Sequence, residues 1–126
     1  MLTRLKFIGF TGLLIVGLAC KKNDTSTTLT GKIIIARCGT IVIQIDGAAG
    51  NGGGMAWTNA GATYTNAATI GNYCYLSGLG IKAGDNVSFK VVKENPQPNA
   101  SCITEYCLAS GPSALIYVAE VVKTGP

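Results

Sequence analysis

The chain has 126 residues, with ten Lys and Arg against six Asp and Glu, five cysteines and no histidine. That length suits one small domain, and the lack of histidine removes the commonest general base and the commonest transition-metal ligand together. The formal charge of +4 is spread along the chain without a basic stripe, so composition gives no reason to expect a nucleic-acid partner.

The first segment reads as an export signal. Arg4 and Lys6 form a short basic region, Phe7 to Ala19 carries no charge, and the small residues Gly17 and Ala19 precede Cys20. The apolar run is too short for a membrane span of about 20 residues. Residues 1–19 are therefore predicted to be a signal peptide. Gly17-Leu18-Ala19 satisfies the small-x-small rule for general cleavage; with Cys20 it also resembles a lipobox, departing from it at Gly17, where Leu is usual. Cysteine parity favours acylation: with the Cys20 sulfur lipidated, Cys38, Cys74, Cys102 and Cys107 remain, an even number for an oxidising compartment. Two or three acyl chains would hold the domain to a membrane without spanning it. The expected address is the bacterial cell envelope at the outer membrane, and the expected partners are the membrane, through Cys20, and an envelope protein or glycan. Loss of Arg4 and Lys6 leaves eight basic residues against six acidic ones. Residues 20–30, polar and poor in apolar side chains, read as a tether.

Residues 31–126 read as one all-β domain. Ile33, Ile34 and Ile35 are consecutive, as in a strand that is covered on both sides or strongly bent. Ile41, Ile43 and Ile45 then alternate with other residues, the period of a half-buried strand. The two runs are so close that either a tight turn at Arg37–Thr40 or one long strand with a bulge at Gly39 joins them. Residues 47–72, rich in Gly, Ala and Asn, show no apolar periodicity and are expected to form a long loop, with room for short structure at Ala60–Ile70. Order resumes at Tyr73–Leu76, Lys82–Asn86 is a turn, and Val87, Phe89 and Val91 mark a strand that Pro96 and Pro98 end. A last strand spans 114–123, with Ile116, Val118 and Val122 on one face and Leu115, Tyr117 and Val121 on the other.

The order Gly31-Lys32, Cys38-Gly39, Ile41 to Gly47, Tyr73 to Leu79, Gly84-Asp85-Asn86-Val87-Ser88-Phe89, Cys102 and Ala114 to Lys123 resembles small Bacteroidota lipoproteins with an OB-like barrel. The resemblance covers most of residues 29–123 and implies a small antiparallel OB-like barrel; a small β-sandwich is the alternative. The Gly/Asn-rich insertion and the four mature cysteines depart from the pattern.

The cysteines are read as two disulfides, the usual outcome in an exported chain. Cys102–Cys107 with Cys38–Cys74 is the favoured pairing, and a link from Cys38 to the 102–107 loop is its rival. No metal site is expected, since the spacing of Cys102 and Cys107 fits neither a redox pair nor a zinc motif. Asp46, Asp85, Glu94, Glu105 and Glu120 are scattered, without the spacing of a paired-carboxylate enzyme. Gly52–Gly54 lack the Lys and the following helix of a phosphate loop, and no cofactor is expected. The expectation is thus a non-catalytic binding or structural protein. A glycan- or peptide-binding module using Trp57, Tyr64, Tyr73 and Tyr75 is the first alternative, and a carboxylate-dependent enzyme the second.

Overall fold

The computed structural model describes residues 27–102 and 107–125. The predicted signal peptide, Cys20 and Glu105 lie outside the described residues. The elements run β1 (Leu29–Arg37), β2 (Thr40–Ile45), a 3-10 turn (Asn51–Gly53), β3 (Met55–Asn59), β4 (Ala62–Ile70), α1 (Tyr73–Gly78), β5 (Asn86–Val92) and β6 (Leu115–Gly125).

The six strands form one mixed sheet that closes into a ring. β1 lies antiparallel to β2 and β5, β2 to β4, and β5 to β6. Two residues of β4, Thr69 and Ile70, pair parallel with Leu115 and Ile116 of β6 and complete the circuit. β3 stands outside it, paired antiparallel with β4.

Apolar side chains fill the ring. Ile33, Ile41, Ile43, Ile45, Val87, Phe89 and Val118 are each at most 1% exposed, and each contributes roughly 1.5–3 kcal/mol by leaving water. The alternation of Ile41, Ile43 and Ile45 points all three inward, as their spacing predicts. Val42, between them, is buried as well, because a second apolar cluster of Ile35, Val42 and Ala67 lies on the opposite face. The triple isoleucine of β1 is explained by the same division. The register shifts between Ile33 and Ile35, so Ile33 joins the main core and Ile35 the second cluster. A bulge adds a residue and reverses which face follows.

A two-residue turn joins β1 to β2. Cys38 and Gly39 have φ of 58° and 72°, the paired positive values of the turn that matches strand twist. Ala60 and Gly61, at 49° and 79°, repeat it between β3 and β4.

Three expectations need correction. Residues 47–72 are not a long loop: residues 55–70 form the β3–β4 hairpin. Order does resume at Tyr73–Leu76, as a short helix, Tyr73–Gly78, whose Leu76 is fully buried in the main core. Leu29 and Thr30, expected at the end of a tether, belong to β1 and pair with Phe89 and Ser88. In β6 the inward set is Ile116, Val118 and Val121, while Val122 is 58% exposed. There the register shifts between Ser88 and Lys90, so that Glu120 and Val121 together face Phe89 and the alternation is displaced.

Candidate functional site

Trp57 and Tyr64 are directly opposed across the β3–β4 pair. Their rings stack with centroids 5.7 Å apart and an interplanar angle of 28°, an arrangement within the range of favourable aromatic pairs. Both are half-buried and pack on Ile35, Val42 and Ala67. The hairpin thus folds back over the outer face of β1 and β2, and the aromatic pair is its apolar contact. Buried Asn66 fixes the base of the hairpin. Its Oδ1 accepts from the Gly50 N–H at 3.0 Å, and its Nδ2 donates to the Asn51 carbonyl at 2.9 Å.

Tyr73 and Tyr75 go elsewhere. Both lie on α1 and pack against the main core. The Tyr75 hydroxyl accepts from the Val121 N–H at 3.3 Å. Ahead of them buried Asn72 clasps β6: its Nδ2 donates to the Val118 carbonyl at 2.7 Å, and its Oδ1 accepts from the Val118 N–H at 3.1 Å. The four aromatics singled out from the sequence therefore make two groups on different elements.

Each group borders a different cleft. One, of about 100 Å³, is lined by Asn72, Tyr73, Tyr75, Asn95 and Gln97. The other, of about 390 Å³, lies between the second half of β1 and the tip of the hairpin, with Ile34, Ala36, Arg37, Asn59, Ala62 and Tyr64 in its walls. Trp57 lines neither. Arg37 and Asn59 escaped sequence reasoning, because each looks like an ordinary strand-end residue until the hairpin folds back.

All four cysteines expected in disulfides are bonded, in the rival pairing. Cys38 joins Cys107 and Cys74 joins Cys102, with Cα atoms 5.2 and 5.5 Å apart. The favoured Cys102–Cys107 and Cys38–Cys74 bonds are not formed. Cys38 sits in the β1–β2 turn and Cys74 on α1, so the two bonds tie the middle of the long β5–β6 connection to different parts of the ring. The bond at Cys107 brings the following residues onto the outer face, where the Thr40 hydroxyl donates to the Ala109 carbonyl at 3.2 Å and the Thr69 hydroxyl to the Pro112 carbonyl at 2.8 Å.

Three of the four described acids, Asp46, Asp85 and Glu120, are engaged in turns and surface pairs. Asp46 accepts from the Thr30 hydroxyl at 2.7 Å, and Glu120 pairs with Lys90 at 2.8 Å. Asp85 accepts from the Lys82 backbone N–H at 2.8 Å and pairs with Lys123 at 3.2 Å. The backbone hydrogen bond, with Lys123 beside it, holds the Asp85 carboxyl below its ordinary range. No carboxylate lines either cleft. Among the described residues no group of three His, Cys, Asp or Glu side chains is placed to hold a metal ion. Compared with protein-family models, with curated proteins and with solved structures, the chain finds no match in any of the three.

Proposed function

We propose that the protein is a non-catalytic lipoprotein of the bacterial cell envelope, held by an acylated Cys20 and presenting a disulfide-stapled, OB-like barrel for binding. One observation carries the anchor. The chain has five cysteines, and Cys38, Cys74, Cys102 and Cys107 bond to one another. Cys20 is left without an intramolecular cysteine partner, directly after Gly17-Leu18-Ala19. Acylation gives that sulfur a role that an exported thiol would lack.

The OB-like reading is supported by the circuit of pairings. Setting β3 aside, the five ring strands run β1-β2-β4-β6-β5 and back to β1, with α1 between β4 and β5 and one short parallel pairing. This is a closed small sheet of the kind that binds ligands on its outer face and loops. The cleft between β1 and the hairpin, with half-buried Tyr64 in its wall, favours a binding role over a purely structural one.

The test is the intact mass of the membrane-extracted protein, measured with and without thiol alkylation. A mass starting at Cys20 with added acyl chains and no alkylatable thiol is expected. A soluble product with free thiols would overturn the anchor and the staples together. Cys20→Ser should leave an uncleaved or soluble species.

A further inference from the structure

We infer that the cleft beside Ile34–Arg37 is a strand-addition site for an extended peptide bearing a carboxylate. This deepens the binding reading above, and its test does not depend on the acyl chain, so either can fail alone. The two edges of β1 differ along its length. Its first half is paired on both sides: Gly31 and Lys32 oppose β2, and Leu29–Lys32 oppose β5. Ile33 ends the second pairing, with its N–H donating to the Asp85 carbonyl at 2.9 Å and its carbonyl accepting from the Gly84 N–H at 2.8 Å. There the chain of β5 turns away. From residue 34 to 37, β1 keeps β2 on one edge and has no strand on the other among the described residues.

The backbone of that segment is directed by the turn. Arg37 and Thr40 flank a two-residue loop and are paired, so they exchange hydrogen bonds with each other, and strict alternation turns the Ala36 N–H and carbonyl to the open edge. Unpaired strand edges are templates for an added strand. The cleft runs along this edge. Ile34 and Ala36 stand on the β1 side, Asn59, Ala62 and Tyr64 on the hairpin side, and Ala83 on the turn before β5. Residues 34–37 span about 13 Å at ~3.3 Å each, room for a peptide segment of three or four residues anchored on the Ala36 N–H and carbonyl. The volume of about 390 Å³ lies within the range of small ligand sites.

Charge selects the occupant. Arg37 is exposed and is the one charged residue lining the cleft. Among the described residues it has no carboxylate partner. A guanidinium offers a planar fork matched to a carboxylate. The remaining lining is mostly apolar, which suits the side chains of an extended peptide. A sugar would need an open aromatic face, but Tyr64 is stacked on Trp57, which does not line the cleft.

The experiment uses the oxidised full chain in detergent. It is probed with arrayed octapeptides that place Asp or Glu at each position, with free or amidated C-termini, and in parallel with a glycan array. Binding of apolar peptides containing an acid is expected, weakened at least tenfold by Arg37→Glu and unchanged by Lys32→Glu. Ala62→Trp should block it, as should Ala83→Trp from the opposite wall if the first variant does not fold. Bound peptide should slow exchange of the Ala36 amide. Loss on amidation would assign the carboxylate to the peptide terminus, and retention would assign it to a side chain; either supports the site. No peptide binding, glycan binding alone, an Ala36 amide that exchanges unchanged, or binding indifferent to Arg37→Glu and to the blocking variants would overturn it.

Discussion

Glu120 and Val121 together face Phe89, and Glu120 has φ of 51°, a value that costs a non-glycine residue free energy. The bulge displaces the β5–β6 ladder and lets Val121, 8% exposed, join the core. The Val121 N–H donates to the Tyr75 hydroxyl, so a side chain that the sequence suggested for a ligand closes the gap in a strand. Tyr75→Phe keeps the ring and removes the acceptor. Because a buried donor left unpaired costs about 1–3 kcal/mol, the variant should lose that much in urea unfolding, with no change in the secondary-structure signal. Asp85 gives a second prediction at this scale. Its carboxyl is held below the ordinary range by the Lys82 N–H and then by Lys123, so its charged form is favoured in the folded state. A depressed folded-state value means that the stabilisation is fully present above the unfolded value, about 3.9 for Asp, and is lost as the pH falls through the folded one. Asp85→Asn should therefore be less stable than the parent at neutral pH, and the gap in Tm should close under acid. A gap that persists at acid pH would mean that the carboxylate charge is not what holds this turn.

The elements that sequence reading recovered share one property: large apolar side chains recur at a fixed period. β2 and β5 have it, with Ile41, Ile43 and Ile45 in one and Val87 and Phe89 in the other, all buried. The β3–β4 hairpin does not. Its buried residues in β4 are Asn66, Ala67, Ala68 and Ile70, and small or polar side chains give no alternation against a glycine-rich background. Of these only Ala67 packs with Val42 in the outer cluster, while Ala68 and Ile70 join the main core, and Asn66 is tolerated because its amide is bonded on both ends. A signal was present in Trp57, Thr58, Thr63, Tyr64 and Thr65, strand-favouring residues on either side of Ala60-Gly61. Alanine at the first turn position hid it, since Asn or Gly is the usual mark. Ala60 is held at φ 49°, where β-branched residues fare worst and Asn well. Ala60→Asn should raise stability by about 0.5–1 kcal/mol, and Ala60→Val should lower it by roughly 1–2 kcal/mol. Equal melting temperatures for the two variants would mean that this turn does not hold its positive φ in solution.

At the scale of the whole molecule, what local pattern could not show is how distant segments are joined. Ring closure depends on Thr69 and Ile70 meeting Leu115 and Ile116, two short runs with nothing in their residues to advertise a parallel contact. The disulfides were undetermined for the same reason: four cysteines allow three pairings, and a choice by nearness in sequence selects the wrong one. In the folded chain the Cys38–Cys107 bond links positions 69 apart and encloses Cys74–Cys102, whose positions are 28 apart. On a chain-entropy account the longer link restrains the unfolded chain more, though by less than ~1 kcal/mol, with each bond contributing roughly 4 kcal/mol. The two should differ more in what they release. Cys38 and Cys107 fasten residues 107–112 over Thr40 and Thr69, where two side-chain hydrogen bonds also hold them. Cys74 and Cys102 fasten α1, six residues long with one fully buried side chain, to the middle of the same connection. Replacing Cys74 and Cys102 with Ser should therefore lower stability by about 2–5 kcal/mol and open protease cuts on both sides of α1. Replacing Cys38 and Cys107 should cost a similar amount and open cuts at residues 107–112, with α1 still protected. Limited proteolysis followed by mass mapping separates the two. The same cuts in both variants would mean that the staples act on one cooperative unit, and that α1 and the outer segment are not fastened independently.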